Sequence, residues 1–157
     1  PVSVLFASAE AQMALISDLL DISRMEGGNR RLVSAPFEPK LVLKELTEMI
    51  RVTAAKKRIA FASDWNALAG LRVLGDERAF RQIITNLLGN AVKFTDHGGV
   101  ELRSRATVDG SRAHLVVEVV DTGRGIPPDA LPRIFERFYQ VDGSLTQAGS
   151  KMTISAT

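Results

Sequence analysis

The sequence predicts an α+β fold: one sheet covered by helices, preceded by a long helix at the start of the chain. Three observations predict it. Helical and strand-like segments follow one another in mixed order, with no internal repeat. Two strand-like runs flank Asp109-Gly110, the signal of a hairpin. An apolar stripe at three- and four-residue spacing occupies the first 25 residues. The chain has 157 residues, 45% apolar and 24% charged. That is enough for one domain with its own core plus an appendage.

The first helix is expected from Val2 to Met25. Val2, Phe6, Ala9, Met13, Ile16, Leu20 and Ser23 alternate four and three apart. Leu5, Leu15, Leu19 and Ile22 widen this stripe beyond a thin coiled-coil seam. So wide a stripe asks for several neighbouring helices, and a bundle between chains supplies them. Packing on its own domain is the competing reading. Gly27-Gly28 ends the helix. After the punctuation of Pro36-Phe37-Glu38-Pro39, a helix is expected from Leu41 to Lys57, with Val42, Leu46, Ile50 and Thr53 or Ala54 along one side. Short strands are expected at Ile59–Ala62 and Arg72–Leu74. Asp76 suits the N-cap of a helix running to Lys93. Asp96-His97-Gly98-Gly99 reads as a turn, and Val100–Ala106 and Ala113–Val120 as the hairpin strands. Pro127-Pro128 opens a short helix ending near Phe135.

Composition removes several function classes. With no cysteine, disulfides and thiolate metal sites are excluded. His97 and His114 are too few for a histidine-based zinc site. No apolar run reaches membrane-spanning length. The net charge of +2 gives no basic surface for nucleic acid. Lys56-Lys57-Arg58, the densest basic cluster, has no interleaved aromatics and reads as a solvated helix end.

Two elements carry chemistry. On the helix from Asp76, Phe80, Ile83, Ile84, Leu87, Leu88 and Ala91 form the face expected in the core. Gln82, Asn86, Asn90 and Lys93 form a separate polar stripe. Asparagine is a poor helix former, so two of them ask for a reason. An Asn amide oxygen is a hard neutral ligand suited to magnesium, which takes its other contacts from water and phosphates. A lysine one turn on can neutralise the same phosphates. A plain solvent face is the alternative. The second element is the strand-like run ending in Asp121. Residues 115, 117, 119 and 121 share a face, so inward-pointing valines leave Asp121 at the inner lip of the sheet. A carboxylate there can accept from the exocyclic amine of adenine. Gly123 and Gly125 remove side chains where a flat base must approach the backbone.

These elements, in this order, resemble the ATP-binding domain of bacterial sensor histidine kinases, and the resemblance covers almost the whole chain. Leu19-Leu20-Asp21-Ile22-Ser23-Arg24-Met25-Glu26 is similar to the end of the second helix of that family's dimerisation and phosphotransfer domain. Arg81 to Thr95 resembles its asparagine box, Asp121 to Ile126 its first glycine-rich box, and Phe135-Glu136-Arg137-Phe138-Tyr139-Gln140 its phenylalanine box. The resemblance implies a helix-sheet sandwich of the histidine kinase and topoisomerase ATPase type. It divides the chain into residues 1–29, an incomplete dimerisation hairpin, and 30–157, an ATP-binding catalytic domain. It implies ATP and Mg2+ as cofactors. Asn90 would hold the metal, and Asn86 and Lys93 would lie near the phosphates. Asp121 would read adenine, Gly123, Gly125 and Ile126 would belong to the base pocket, and Arg137 would reach the terminal phosphate. It further implies a homodimer through the first helix, a response regulator receiver domain as partner, and a cytoplasmic location, with any membrane contact made by segments outside this chain. Related hydrolytic ATPases carry a glutamate one turn before the metal-binding asparagine, where this chain has Asn86. That argues for transfer to a side chain rather than to water.

The sequence also departs from the family. No histidine stands in a phospho-acceptor context; His97 falls in the turn and His114 near a strand start. No catalytic residue is therefore assigned within this chain. After Asp142, Ser144-Leu145-Thr146-Gln147 runs directly into Ala148–Ser155, which resembles the family's final strand. In the family a lid and a second glycine-rich box lie between these two pieces, and this sequence lacks them. A stretch of chain left out, a deletion and a natural degenerate kinase all account for the gap. A dimerisation and regulator-docking scaffold with weak or no nucleotide binding is therefore the alternative function. Val119-Val120-Asp121-Thr122-Gly123 also resembles the catalytic turn of aspartic proteases, but those need two aspartates sharing a proton.

Overall fold

The computed structural model describes residues 33–133 and the backbone of 151–156. The expected helix at Val2–Met25, the phenylalanine box with Arg137 and the region of the lid lie outside the described residues. Ten short elements make up the rest. They are β1 (Ala35–Phe37), α1 (Pro39–Lys57), β2 (Ala60–Asp64), a 3₁₀ turn (Asn66–Leu68), β3 (Val73–Gly75), α2 (Glu77–Phe94), β4 (Gly99–Asp109), β5 (Arg112–Asp121), a second 3₁₀ turn (Leu131–Arg133) and β6 (Lys151–Ala156).

The helices start where local chemistry lets them. Pro39 opens α1 two residues earlier than expected, because a first-turn N–H has no helical partner to lose. Asp76 caps α2, its carboxylate accepting from the backbone N–H of Arg78 at 2.9 Å and of Ala79 at 3.1 Å. Arg58 ends α1 in the left-handed region, at φ 59°. The hairpin is longer than expected. β4 and β5 pair in register from Val100 with Asp121 to Asp109 with Arg112, around a two-residue turn of Gly110 and Ser111. Gly110 alone carries the positive φ, 57°.

Four strands form a sheet in the order β2-β4-β5-β6. β2 runs parallel to β4, and the other two pairings are antiparallel. A separate ribbon pairs β1 with β3. Leu43, Leu46 and Ala54 of α1 and Ile84, Leu88, Ala91 and Val92 of α2 share one core with Leu102, Leu115, Val117 and Val119 of the sheet. The fold is therefore the expected helix-on-sheet sandwich. Ala54, not Thr53, completes the inner stripe of α1.

Three expectations need correction. Ile83 is 45% exposed and does not belong to the core face of α2. Ile84, Leu88, Ala91 and Val92 centre that face, and Ile83 stands about 100° from Ile84 around the helix. The expected short helix from Pro127-Pro128 is, within the described residues, a turn. There the N–H groups of Ala130 and Leu131 both donate to the Pro127 carbonyl, and the 3₁₀ turn follows. The basic cluster is not simply a solvated helix end, for Lys57 has protein partners described below.

Arg81 fastens the two helices on their outer side. Its guanidinium lies 3.1 Å from Glu77 and 2.9 Å from Glu45 of α1. The hydrogen bond it donates to Glu77, then that to Glu45, holds Arg81 above its ordinary pKa.

Candidate nucleotide site

The strand alternation of β5 decides where Asp121 goes. Leu115, Val117 and Val119 face the core, and Asp121 follows them on the same face as the last residue of the strand. It is buried, with 8% of its surface exposed, at the lip of the sheet opposite Val100. One carboxylate oxygen accepts the Gly123 N–H at 2.8 Å. This closes a local turn and fixes the carboxylate's orientation.

That turn is pressed against the C-terminal end of α2. A Cβ on Gly123 would lie 2.5 Å from the Phe94 carbonyl oxygen and 2.9 Å from the Asp121 carboxylate. No side chain fits there. Arg124 donates its N–H to the Phe94 carbonyl at 3.4 Å. Gly125 has φ +70°, a left-handed conformation that costs other residues. Ile126 is partly buried. Thr122 ties the loop to the preceding turn: its hydroxyl accepts from the Gly99 N–H at 2.9 Å and donates to the His97 carbonyl at 3.0 Å.

The polar stripe of α2 faces away from the core, as its spacing requires. Asn86, Asn90 and Lys93 are all exposed, whereas Gln82 is half-buried. Asn90 stands one helical turn before Phe94, and Asn86 two turns before. The Lys93 ammonium lies 5.1 Å and the Arg124 guanidinium 4.5 Å from the centre of the Phe94 ring. The glycine loop and the Lys93 end of the stripe are thus brought together. Of the three exposed residues of the stripe, Asn86 lies farthest from the loop along the helix. Among the described residues no three acidic or histidine side chains gather into a self-sufficient metal site.

Sequence reasoning missed Lys57. Its ammonium donates to the carbonyls of Val92 at 2.9 Å, Lys93 at 3.0 Å and Thr95 at 2.9 Å, and lies 3.4 Å from Asp96. A signal was present: no Gly or Asn follows Phe94, so the last carbonyls of α2 lack their usual left-handed cap. Phe94 lies within the asparagine box and Arg124 within the first glycine-rich box, where spacing alone assigns them no role.

Residues 75–156 match the family model described as histidine kinase-, DNA gyrase B- and HSP90-like ATPase. The chain belongs to this ATPase family. Its curated relatives include the sensor protein TorS of Escherichia coli, 39% identical over 95% of this chain. The sensory/regulatory protein RpfC of Xanthomonas campestris is 35% identical over 90% of it. The chain spans only 16% and 20% of their respective lengths. Among solved structures, full-length ShkA in complex with AMPPNP aligns over 99% of this chain and 37% of its own, with 30% identity and a TM-score of 0.79. ThkA in complex with the response regulator protein TrrA, at 17% identity and a TM-score of 0.71, shares the fold. The ATPase domain of a sensor histidine kinase therefore accounts for this chain, and the aspartic protease reading falls away.

Proposed function

We propose that this chain is the ATP-binding catalytic core of a two-component sensor histidine kinase. It transfers the ATP gamma-phosphate to a histidine outside this chain, and from there the phosphate passes to a response regulator. The observation that carries the reading is the position of Asp121. It is a buried carboxylate at the lip of β5, locked by Gly123 against the end of the helix that bears Asn90 and Lys93. Asp121 accepts the adenine amine. Gly123 and Gly125 admit the flat base, with Ile126 as part of its wall. Asn90 would hold Mg2+, and Lys93 and Asn86 neutralise or bind the phosphates. One neutral oxygen ligand fits an ion that arrives already coordinated by phosphates. The metal, when bound, spreads the developing negative charge of the transferred group. The side chains position and neutralise; none of them activates water, since Asn86 is no base. Arg137 is assigned to the terminal phosphate from the sequence alone.

The names of the relatives support the wider reading. ShkA was solved with an ATP analogue, and ThkA with a response regulator. Homodimerisation through the helix expected at Val2–Met25, docking of a receiver domain and a cytoplasmic location complete the proposal. Among the described residues no helix is long and apolar enough to cross a membrane.

Calorimetric titration with magnesium-ATP tests the site. The parent protein binds saturably. Asp121→Asn weakens binding by at least about tenfold, the loss expected when a charged hydrogen-bond partner goes. Asn90→Ala removes the magnesium dependence. If both variants bind as the parent does, the site is wrong. If the parent does not bind at all, the scaffold reading replaces the kinase.

A further inference from the structure

We infer that Lys57 is a positioning residue for the base side of the nucleotide site, acting through the end of α2; this rests on the nucleotide-binding reading proposed above. The reasoning starts from helix termini. The last carbonyls of a helix have no partner inside it. α2 has no left-handed cap, because Thr95 follows Phe94 in extended conformation, φ −100° and ψ 115°. Four consecutive carbonyls, 92 to 95, therefore need partners from elsewhere.

Their partners divide in a telling way. Lys57 takes Val92, Lys93 and Thr95, each within 3.0 Å. An ammonium has three N–H donors, and these three carbonyls lie nearer to it than Asp96, the fourth acceptor it reaches, at 3.4 Å. The remaining carbonyl, that of Phe94, accepts from Arg124 and sits where a Gly123 side chain would have to be. One lysine from α1 thus holds the carbonyls on either side of the single carbonyl that meets the Asp121–Gly125 loop. Asp96 adds an ion pair at 3.4 Å and keeps the lysine over this helix end. The side chain is two-thirds covered, so water competes only partly for its donors. Lys57 meets the polar stripe only at the Lys93 backbone carbonyl, and no described contact joins it to the loop. Its effect on the base pocket passes through the backbone of Phe94.

The test compares Lys57→Met with Lys57→Arg and with Lys56→Met, a neighbouring exposed lysine that serves as control. Two quantities are read. The first is the amide shift and hydrogen exchange of Gly123 and Arg124 by NMR, without nucleotide. The second is the affinity for magnesium-ATP and for ADP without magnesium. Lys57→Met is expected to move and deprotect both amides. It should weaken ATP and ADP by the same factor, about tenfold, because the base side is what loosens. Lys57→Arg restores most of the affinity, and Lys56→Met changes nothing. A thermal midpoint followed by Trp65 fluorescence confirms that each variant is folded. Unchanged Gly123 and Arg124 amides in a folded Lys57→Met protein overturn the inference, and so does an affinity loss confined to ATP. Absence of nucleotide binding in the parent overturns the functional reading instead, and the amide shifts still decide whether Lys57 sets the loop. Should Lys57→Met fail to fold, Lys57→Gln carries the same two readings.

Discussion

At the residue scale, single atoms decide what this site admits. Gly123 leaves no room for a methyl group between the Phe94 carbonyl and the Asp121 carboxylate. Gly125 and Arg58 both adopt left-handed backbone, but only the first is a residue built for it. Arg58 stands where helices commonly end in glycine. Its N–H donates to the carbonyls of Ala54 and Ala55, so the cap itself is sound and only the side chain is strained. Arg58→Gly should stabilise the protein by up to about 1 kcal/mol, the steric cost of this conformation less the entropy glycine loses on folding. A raised thermal midpoint without a change in nucleotide affinity is the expected result. A lowered midpoint would mean that the Arg58 side chain makes up for its strain.

At the element scale, α2 serves two masters with opposite faces. Ile84 and Leu88 are fully buried on one side, and Asn86 and Asn90 are exposed on the other. Leu88→Ala should cost about 2–5 kcal/mol in urea unfolding, the range for deleting a buried leucine. A cost below about 1 kcal/mol would mean that the helix packs more loosely than its burial indicates. The two faces were legible in the sequence because helical spacing separates them; Ile83 was misread because it sits at the margin of the stripe. The Asp121 lip was legible for the same kind of reason, since strand alternation carries the valine face straight to it. Lys57 was not. Its partners lie more than thirty residues ahead and are backbone carbonyls, which leave no mark in side-chain pattern. The turn after Pro127 was misread because proline suits the first residue of a helix and of a turn equally well.

At the scale of the whole molecule, binding and folding are one equilibrium. Magnesium-ATP at about 100 times its dissociation constant should raise stability by about 2.7 kcal/mol. A differential scan should show this as an upward shift of the thermal midpoint, lost in Asp121→Asn and reduced on adding a chelator. No shift in the parent would count against the nucleotide site. The sheet also has a bearing on how the chain reaches this state. The hairpin of β4 and β5 closes across two residues, whereas β2 joins β4 by pairing Ala60 with Gly99, with the second ribbon strand and all of α2 in between. Closing that longer loop costs more chain entropy before any contact repays it. The hairpin is therefore expected to form the folding nucleus and β2 to zip on late, which φ-values from stopped-flow folding of β2 and β4 variants would check. Mutations in β4 and β5 slow folding, while those in β2 chiefly hasten unfolding.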